Sequence, residues 1–287
     1  MQYKPTILEG ESLKKYQNEI LKMTEDIIEL LDENGIDYSL SGGSVLGAVR
    51  HEGFIPWDDD IDLNILRRDY QKLIDIFSHH DKYYVQTPIQ YPEIGILVTQ
   101  IRKKGTVARR QFDWNVNPCG LSIDLYIVEN TYDNKLFRIF HGLLSEGMSF
   151  IVSSVRTYKN RELPDEIEKL ESRNIKYKTL KYIVGFICQC IPMSYWLKWT
   201  DKVNAMCKNE SSKYVTNPTA RKHFFGELLE RNDLAKYRKQ AFENHSWKIP
   251  YNYKKYLSKV YGEDYMLEPP VDKRERHAFL ELDYGED

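Results

Sequence analysis

The chain of 287 residues is long enough for one large domain or two modest ones, and its 41% hydrophobic and 29% charged residues are ordinary for a soluble globular protein. Its formal net charge of -2 argues against a dedicated nucleic-acid-binding protein, which usually carries a basic excess. No apolar stretch reaches the ~20 residues that a membrane-spanning helix needs, and the N-terminal residues lack the pattern of a secretory signal, so a cytoplasmic protein is expected.

The first part of the chain alternates predicted helices and strands. Apolar residues recur at three- and four-residue steps between residues 13 and 31, which predicts an amphipathic helix. A short strand over Ile36–Leu40 follows, Gly42 and Gly43 end it, and Ser44 is predicted to cap a short helix. Further strands are predicted over Ile61–Leu66, near residues 84 and 98, and over Gly120–Val128, with a helix directly after the first of them.

The second part of the chain is predicted to be mainly helical. Helical spacing extends from about residue 135 to 155, and a later apolar stretch is divided by Pro192 into two predicted helices. The polar segment between them, residues 157–174, is typical of a surface. We therefore predict an α+β protein with a catalytic core over residues 1–130 and a mainly helical region over residues 131–287 that packs on it.

A dense run of aspartates stands at the start of one predicted strand. Residues two apart in a strand point to the same face, so Asp60 and Asp62 project together, and Asp58 joins them if the strand begins that early. Asp124 lies between apolar residues of a later strand, although aspartate is depleted in strands. If the two strands are neighbours, these carboxylates converge. Like charges repel, so the cluster predicts a cation, and an oxygen-only site suits Mg²⁺.

A glycine turn, Gly42-Gly43-Ser44, precedes the aspartates in the chain. Glycine lets the backbone approach a ligand closely, and the free N–H groups at a helix start favour phosphate. Either motif alone is more often a plain turn or a solvated acidic loop. A phosphate cradle, an aspartate pair and a third aspartate on a later strand together indicate phosphoryl transfer.

The string GGSVLGAVRHEGFIPWDDDIDLNILRRDY resembles the LicD family, which lies in the nucleotidyltransferase superfamily that includes DNA polymerase beta. GLSIDLYIVE is similar to the family's second acidic strand, except that Tyr126 and Ile127 stand where many members have Phe-Pro. Residues 242–279 are similar to the family's C-terminal signature. The resemblance covers about residues 15–280, and between about 130 and 220 it is only general.

The resemblance implies a polymerase beta-like mixed sheet as the catalytic core and Mg²⁺ or Mn²⁺ as the cofactor. Carried over by position, Asp60 and Asp62 hold the metal against the donor diphosphate. Asp124 either completes the metal site or accepts the proton of the attacking hydroxyl, and the sequence leaves both roles open. Asp58 is a further candidate ligand, directly or through a water.

The resemblance also implies residues that contact the donor phosphates. Gly42, Gly43 and Ser44 carry this role by position. Arg50 ends the short helix and is a candidate phosphate contact or an ion-pair partner of an aspartate. Arg102 is a candidate clamp on the diphosphate, or a residue of a solvated edge strand. A basic cluster near the C-terminus offers a further ligand contact: Lys273, Arg274, Arg276 and His277.

Members of the LicD family transfer phosphocholine from CDP-choline to cell-surface glycans such as teichoic acid or lipopolysaccharide, and the fukutin group transfers ribitol phosphate from CDP-ribitol. The resemblance therefore implies a phosphotransferase that moves a phospho-alcohol, phosphocholine first, from a CDP-alcohol to a hydroxyl of a glycan or lipid-linked oligosaccharide, releasing CMP. The alternative is a nucleotidyltransferase that moves a nucleoside monophosphate to a small molecule and releases pyrophosphate. The sequence determines neither the alcohol, the acceptor hydroxyl nor the oligomeric state.

The apolar stretch from Leu180 to Trp199 has two interpretations. Aromatic and basic residues surround it, as in a helix that lies in a membrane interface, here the inner face of the cell membrane. The favoured interpretation is packing on the catalytic core or between subunits. Both place apolar residues at helical spacing, so the periodicity does not separate them.

Overall fold

A computed structural model describes residues 5–162 and 177–285 of the chain. Its helices are α1 (Gly10–Glu33), α2 (Gly42–His51), α3 (Arg67–Ser78), α4 (Lys135–Lys159), α5 (Lys178–Cys188), α6 (Met193–Asn204), α7 (His223–Gly226), α8 (Arg231–Leu234) and α9 (Tyr253–Tyr261). Its strands are β1 (Thr6–Ile7), β2 (Tyr38–Leu40), β3 (Asp62–Leu66), β4 (Tyr83–Gln86), β5 (Thr99–Lys103), β6 (Val107–Arg110), β7 (Ser122–Thr131), β8 (Tyr214–Thr216), β9 (Leu229–Glu230), β10 (Tyr237–Phe242), β11 (His245–Pro250) and β12 (Ala278–Asp283). Short 3-10 turns lie at Gln111–Asp113, Asn160–Glu162 and Val271–Lys273. None of the helices in these two ranges combines the length and hydropathy that crossing a bilayer requires.

The central sheet is mixed. Its strands run in the order β2-β3-β7-β5-β4, while β8 pairs with β7 and β9 pairs with β8. β3 and β7 are parallel, and the other pairs of this sheet are antiparallel. In the parallel pair Asp62 lies directly opposite Asp124. Helices pack on a mixed sheet, which agrees with the predicted α+β class.

The main hydrophobic core lies between α1 and the central sheet. Tyr16, Ile20, Ile27 and Leu31 recur at helical spacing on α1 and are fully buried. Burying a side chain of the size of leucine or isoleucine contributes about 1.5–3 kcal/mol, so this one face fixes α1 on the sheet. A smaller, separate apolar cluster joins α4 to α6.

Most predicted elements are present with shifted ends. The helix predicted over residues 13–31 extends from Gly10 to Glu33, and Pro192 separates α5 from α6 as predicted. The strand predicted to begin at Ile61 begins one residue later, at Asp62. Asp58 and Asp60 therefore precede β3 and lie in the loop that leads into it.

Ser44 does not cap α2, contrary to the prediction. The helix begins at Gly42, and Ser41 occupies the capping position. Gly42 has φ +46, a left-handed conformation that glycine adopts readily, so the chain turns into the helix earlier than expected. The Ser44 hydroxyl instead accepts a hydrogen bond of 2.9 Å from the backbone N–H of Asp62. It ties the first turn of α2 to the start of β3.

The chain after residue 131 contributes strands as well as helices. β8 pairs with β7, and β12 pairs with both β1 and β6. The hairpin of β10 and β11 contacts α2 and β2. The division into residues 1–130 and 131–287 stays a prediction, and the described residues of the second part are joined to sheets of the first. Of the polar segment predicted at residues 157–174, residues 163–174 lie outside the described ranges.

A buried carboxyl group follows α7. Glu227 is 1% exposed, and its Oε1 accepts a hydrogen bond of 3.2 Å from the backbone N–H of Lys222. Its Oε2 has no hydrogen-bond partner among the described residues. Burial outweighs this hydrogen bond and the nearby lysines and raises the pKa of Glu227 to about 7. The folded protein therefore keeps a proton that the unfolded chain releases at a lower pH.

We predict that the free energy of unfolding falls as the pH rises from about 4.5 to 7, because the folded state binds this proton more tightly. Glu227→Gln removes the titration. Its stability relative to the parent should rise across this window by up to roughly 3 kcal/mol. Urea denaturation at several pH values measures the difference. Glu33→Gln, at an exposed carboxylate at the end of α1, is the matched control, and an equal pH dependence in both variants would contradict the prediction.

Candidate active site

Four of the predicted aspartates converge where the parallel strands β3 and β7 begin. Asp62 lies opposite Asp124 in the register of the two strands. Burial, followed by the charges of Asp60, Asp124 and Asp58, raises the pKa of Asp62 well above its usual value. Burial, followed by the charges of Asp60 and Asp59, does the same to the pKa of Asp58. The structure thus concentrates negative charge here.

A fifth aspartate of the same run is compensated by cations. Asp59 Oδ1 accepts hydrogen bonds from Arg110 Nη2 at 3.2 Å and from His277 Nδ1 at 2.7 Å. Burial opposes the ionisation of Asp59, but the charge of Arg110 and the contact with His277 outweigh it, so the pKa of Asp59 lies below its usual value. Burial and Arg110 oppose the charged form of His277. Its hydrogen bond and ion pair with Asp59 nevertheless raise its pKa.

Among the described residues, three potential ligands lie close enough to hold one metal ion. They are Asp59, Asp60 and His277, whose donor atoms lie within 4.8 Å of one another. This group shares Asp60 with the predicted set of Asp60, Asp62 and Asp124. Carboxylate oxygens are the donors that Mg²⁺ and Mn²⁺ prefer. The side chains at this point therefore fit the predicted cation.

The glycine turn lies against the aspartates. A Cβ atom on Gly42 would lie 3.0 Å from Asp62 Oδ2, and one on Gly43 would lie 2.9 Å from Asp58 Oδ2. Any larger residue would therefore displace these carboxylates. The first N–H groups of α2 have no acceptor within the helix. The Ser44 side chain is 3% exposed, and its hydroxyl oxygen is already occupied by the N–H of Asp62.

Two tyrosines of α9 support this turn from the C-terminal part of the chain. The Tyr256 hydroxyl accepts a hydrogen bond of 2.8 Å from the N–H of Gly42. The Tyr261 hydroxyl would lie 3.7 Å from a Cβ atom on Gly42. Burial, then the charges of Tyr256 and Asp62, raises the pKa of Tyr261 well above its usual value, so it keeps its proton beside the carboxylates.

The two predicted arginines lie in different places. Arg50 donates to the backbone carbonyls of Tyr265 and Leu267 at 3.1 and 3.2 Å, which anchors the segment after α9. Neither Asp58 nor Asp59 is among its hydrogen-bond partners. Arg102 is 1% exposed and belongs to β5, which lies between β7 and β4, so the interpretation as a solvated edge strand is wrong.

Arg102 acts on the site through a neighbouring amide. Its Nη2 and Nε donate to Gln100 Oε1 at 2.6 and 3.1 Å, and Gln86 Nε2 donates to the same oxygen at 3.1 Å. With its oxygen held by these donors, Gln100 points its Nε2 at Asp124 Oδ1, 2.6 Å away. Asp113 Oδ2, at 2.9 Å, fixes Arg102 in turn. This network fixes the orientation of the Asp124 carboxylate.

A cavity of about 630 Å³ opens beside these carboxylates. Asp60, Asp124 and Arg110 contribute to its wall, as do the apolar side chains of Phe112 and Val152. Its size is in the range of small-molecule sites, and apolar walls with a few convergent polar groups are typical of them. The residues of the glycine turn are not part of the wall, so the cavity lies on the side of Asp60 and Asp124.

The chain was compared with known proteins. Residues 35–141 match the family model described as LicD/FKTN/FKRP, nucleotidyltransferase domain. The lipopolysaccharide cholinephosphotransferase LicD of Haemophilus influenzae is 23% identical over 278 residues, which cover 94% of this chain and 97% of that protein. The human ribitol 5-phosphate transferase FKRP is 49% identical over 43 residues, or 15% of this chain and 9% of that protein. An uncharacterised protein of Rickettsia typhi is 39% identical over 88 residues, covering 28% of this chain and 27% of that protein.

Residues 35–141 are thus similar to the LicD-family domain. The predicted resemblance is thereby confirmed, and the named relatives are transferases, as predicted. The domain contains the glycine turn, the aspartates, Gln100 and Arg110. It ends before α9 and His277, which contact the same site from the C-terminal part of the chain.

Sequence reasoning missed several residues at this LicD-family site. Arg110 has no sequence signal, because its partner Asp59 is 51 residues away. Gln100 lies two residues before Arg102 on the same face of β5, and a buried polar pair on one strand face could have indicated it. Tyr256 lies in the C-terminal signature, but nothing in the sequence singles it out. Tyr261 and His277 belong to the same signature, and His277 is also part of the predicted basic cluster.

We predict that Gln100→Met lowers the turnover number, because Asp124 loses the donor that orients it while the side chain keeps a similar volume. Outer-shell partners of this kind typically contribute about 10- to 100-fold to activity or metal affinity. Steady-state kinetics at saturating donor and graded Mg²⁺ measures both quantities. Gln71→Met is the matched control, because Gln71 is an exposed glutamine of α3 whose side chain contacts Asp75 and not Gln100 or Asp124. Equal kinetics in the two variants would contradict the prediction.

Proposed function

We propose that the protein transfers a phospho-alcohol from a CDP-alcohol to a hydroxyl of a cell-surface glycan precursor, releases CMP and depends on Mg²⁺ or Mn²⁺. Phosphocholine is the favoured group, and teichoic acid or lipopolysaccharide precursors are the favoured acceptors. The name of the Haemophilus relative, which aligns along almost its whole length, supports this choice. The ribitol 5-phosphate transferases support the wider class of phospho-alcohols.

The observation that carries the proposal is the pairing of Asp62 with Asp124 on parallel strands, next to Asp60 and the glycine turn. Burial and mutual repulsion raise the pKa of Asp60 and of Asp62, so full ionisation of the cluster is unfavourable without a further positive charge. A divalent cation would relieve this repulsion. The mixed sheet that carries these residues supports the assignment to a polymerase beta-like fold.

In the proposed complex, Asp60 and Asp62 hold the cation and Asp58 assists. Asp124 either completes the metal site or accepts the proton of the acceptor hydroxyl. A cation bound by these carboxylates would supply positive charge to the diphosphate oxygens and to the transition state of transfer. The N–H groups of Gly43 and Ser44 in the first turn of α2, which have no acceptor within the helix, would donate to one end of the diphosphate. The N–H of Gly42 already donates to the Tyr256 hydroxyl, so we assign Gly42 a conformational role in the turn and no contact with phosphate. Neither predicted arginine is assigned a contact with the diphosphate. Arg50 anchors the segment after α9, and Arg102 orients Gln100.

The reaction forms a bond between the acceptor oxygen and the phosphorus that carries the alcohol. It breaks the bond from that phosphorus to the bridging oxygen, which leaves with CMP. The proton of the acceptor hydroxyl goes to a carboxylate, and Asp124 is the candidate because it lines the cavity. Gln100 occupies Asp124 Oδ1, which leaves Oδ2 for a metal or for the proton.

The cavity supplies a place for the acceptor or for the transferred alcohol. A quaternary ammonium such as choline binds over aromatic faces. Phe112 and Tyr126 both line the cavity, but the guanidinium of Arg156 already lies over the Phe112 ring, 4.6 Å from its centroid. Tyr126, which stands where many family members have phenylalanine, is therefore the aromatic group that we assign to the alcohol.

We predict that Asp60→Asn and Asp62→Asn each lower transfer at least about 100-fold, because each removes a carboxylate that holds the cation. Both variants should remain folded with unchanged or higher thermal stability, because removing a repelling buried charge relieves strain. Activity with and without EDTA, and the midpoint of thermal unfolding, test this. Asp75→Asn, at an exposed aspartate of α3, is the control. Full activity in either site variant, or activity that survives EDTA, would refute the metal assignment.

Product identity tests the proposed reaction itself. The protein is incubated with Mg²⁺, a glycan precursor and a panel of CDP-choline, CDP-ethanolamine, CDP-glycerol and CDP-ribitol, and chromatography monitors CMP. We expect acceptor-dependent CMP release from one donor, with CDP-choline the first candidate. Pyrophosphate release from a nucleoside triphosphate, without CMP release from any CDP-alcohol, would instead establish the nucleotidyltransferase alternative.

A further inference from the structure

Part of the cavity wall beside the aspartates comes from outside the stretch that the family model matches, which ends at residue 141. Residues at three- and four-residue steps form one face of α4, and this face contributes Ser149, Val152, Ser153 and Arg156. The segment that leads into α7 contributes Pro218, Thr219 and His223. The carboxylates and much of the surface around them therefore belong to different parts of the chain.

Two polar side chains of this cavity end in buried atoms without a hydrogen-bond partner. Ser149 is 9% exposed, and its hydroxyl oxygen bonds no described residue. The side-chain nitrogen of Gln111, which follows β6, likewise finds no acceptor among the described residues. A buried polar atom without a partner destabilises the folded protein. Such atoms in the wall of a cavity indicate a ligand that completes their hydrogen bonds.

His223 adds an imidazole at the exposed edge of the same cavity. Its φ of +56 lies in the left-handed region, which residues other than glycine seldom adopt. The His223 carbonyl accepts a hydrogen bond of 2.9 Å from the N–H of Glu227, and the next residue, Phe224, is fully buried, so the surroundings maintain this conformation. No hydrogen bond or ion pair joins the imidazole to a described residue. Backbone strain that is maintained in this way concentrates at functional sites.

The three groups are spread along the cavity. α7 packs on α4 one turn before Ser149, where a backbone N–H of α7 donates to Glu146 Oε1 at 3.3 Å. Two turns after Ser149, the Arg156 guanidinium lies over the ring of Phe112, the residue that follows Gln111. Seven residues of helix span about 10 Å. A ligand that reaches all three groups is therefore extended and carries several polar groups.

We propose that this wall binds a neutral carbohydrate, whose hydroxyl groups form hydrogen bonds with Ser149, Gln111 and His223. A sugar hydroxyl both donates and accepts, so it can pair with a serine hydroxyl, an amide N–H or an imidazole nitrogen. An anion fits less well, because the carboxylates of the same cavity would repel it. Arg156 is already engaged with the Phe112 ring and with the Gly95 carbonyl.

The carbohydrate is assigned as the acceptor, which rests on the proposed function, whereas the binding itself does not. The glycine turn that we assign to the donor diphosphate is not part of this wall. In the proposed reaction, Ser149→Ala should therefore raise the KM for the glycan acceptor about 3- to 10-fold and leave the KM for the CDP-alcohol unchanged. An equal rise in both KM values would contradict this assignment.

Saturation-transfer difference NMR measures sugar binding without turnover, so its failure is distinct from failure of the proposed reaction. The full-length protein, without nucleotide, is titrated with the methyl glycosides of glucose, galactose and N-acetylgalactosamine and with glucose 6-phosphate. We expect at least one neutral glycoside to bind more tightly than the phosphorylated sugar. Ser149→Ala should weaken this binding about 3- to 10-fold, because one neutral hydrogen bond is lost.

His223→Gly separates loss of a ligand contact from loss of folding. Binding of the neutral glycoside should weaken by a similar factor, while the midpoint of thermal unfolding should stay the same or rise, because glycine adopts this φ without strain. Ser154→Ala is the matched control on α4, since the Ser154 hydroxyl donates to the Phe150 carbonyl at 2.7 Å and is not part of the cavity wall. His79→Ala, at an exposed histidine that follows α3, is the control for the imidazole.

Both controls should bind the glycoside like the parent. The proposal is overturned if the parent binds none of the neutral glycosides or prefers glucose 6-phosphate to all of them. It is also overturned if Ser149→Ala or His223→Gly, folded by circular dichroism, binds the glycoside as tightly as the parent does.

Discussion

The site depends on the parallel pairing of β3 with β7, which sets Asp62 opposite Asp124. Once these strands pair, buried carboxylates stand close to one another, and mutual repulsion opposes their ionisation. Arg110 counteracts this repulsion with its positive charge. It forms an ion pair with Asp59, and it also interacts electrostatically with Asp60 and Asp124. It neutralises the part of the cluster at Asp59, and the proposed cation would neutralise the rest.

The C-terminal part of the chain completes this site although the matched LicD-family domain ends at residue 141. Tyr256 holds the N–H of Gly42, and His277 bonds the carboxylate of Asp59. β12, which follows His277 directly, pairs with β6, the strand that ends at Arg110. The residues that compensate the aspartates are thus positioned by strand pairing between distant parts of the chain.

The sequence predicted what depends on local pattern. The period of α1, the break at Pro192 and the convergence of Asp60, Asp62 and Asp124 all follow from spacing and from one assumption, that two strands are neighbours. Prediction from the sequence was incomplete or wrong where the structure depends on the order of strands in the sheet or on the backbone conformation of a single residue. For Arg102 the sequence leaves open a clamp on the diphosphate or a residue of a solvated edge strand, because nothing local shows that β5 lies between β7 and β4. The prediction that Ser44 caps α2 is wrong because the positive φ of Gly42, which starts the helix earlier, leaves no separate signal in the sequence.

Two overlapping ligand sets are candidates for the proposed cation, and they differ in their hydrogen bonds. Asp59, Asp60 and His277 are the more compact group, but Arg110 and His277 both bond Asp59 Oδ1. With its Nδ1–H donated to Asp59, His277 has no lone pair on that nitrogen to offer a metal. Within residues 5–162 and 177–285, no lysine, arginine or histidine forms a salt bridge with Asp58 or Asp62, and burial with repulsion raises the pKa of both. Binding a divalent cation gains most where negative charge is least compensated, which favours the side of Asp60 that faces Asp62 and Asp124 and leaves Asp59 as the anchor of Arg110.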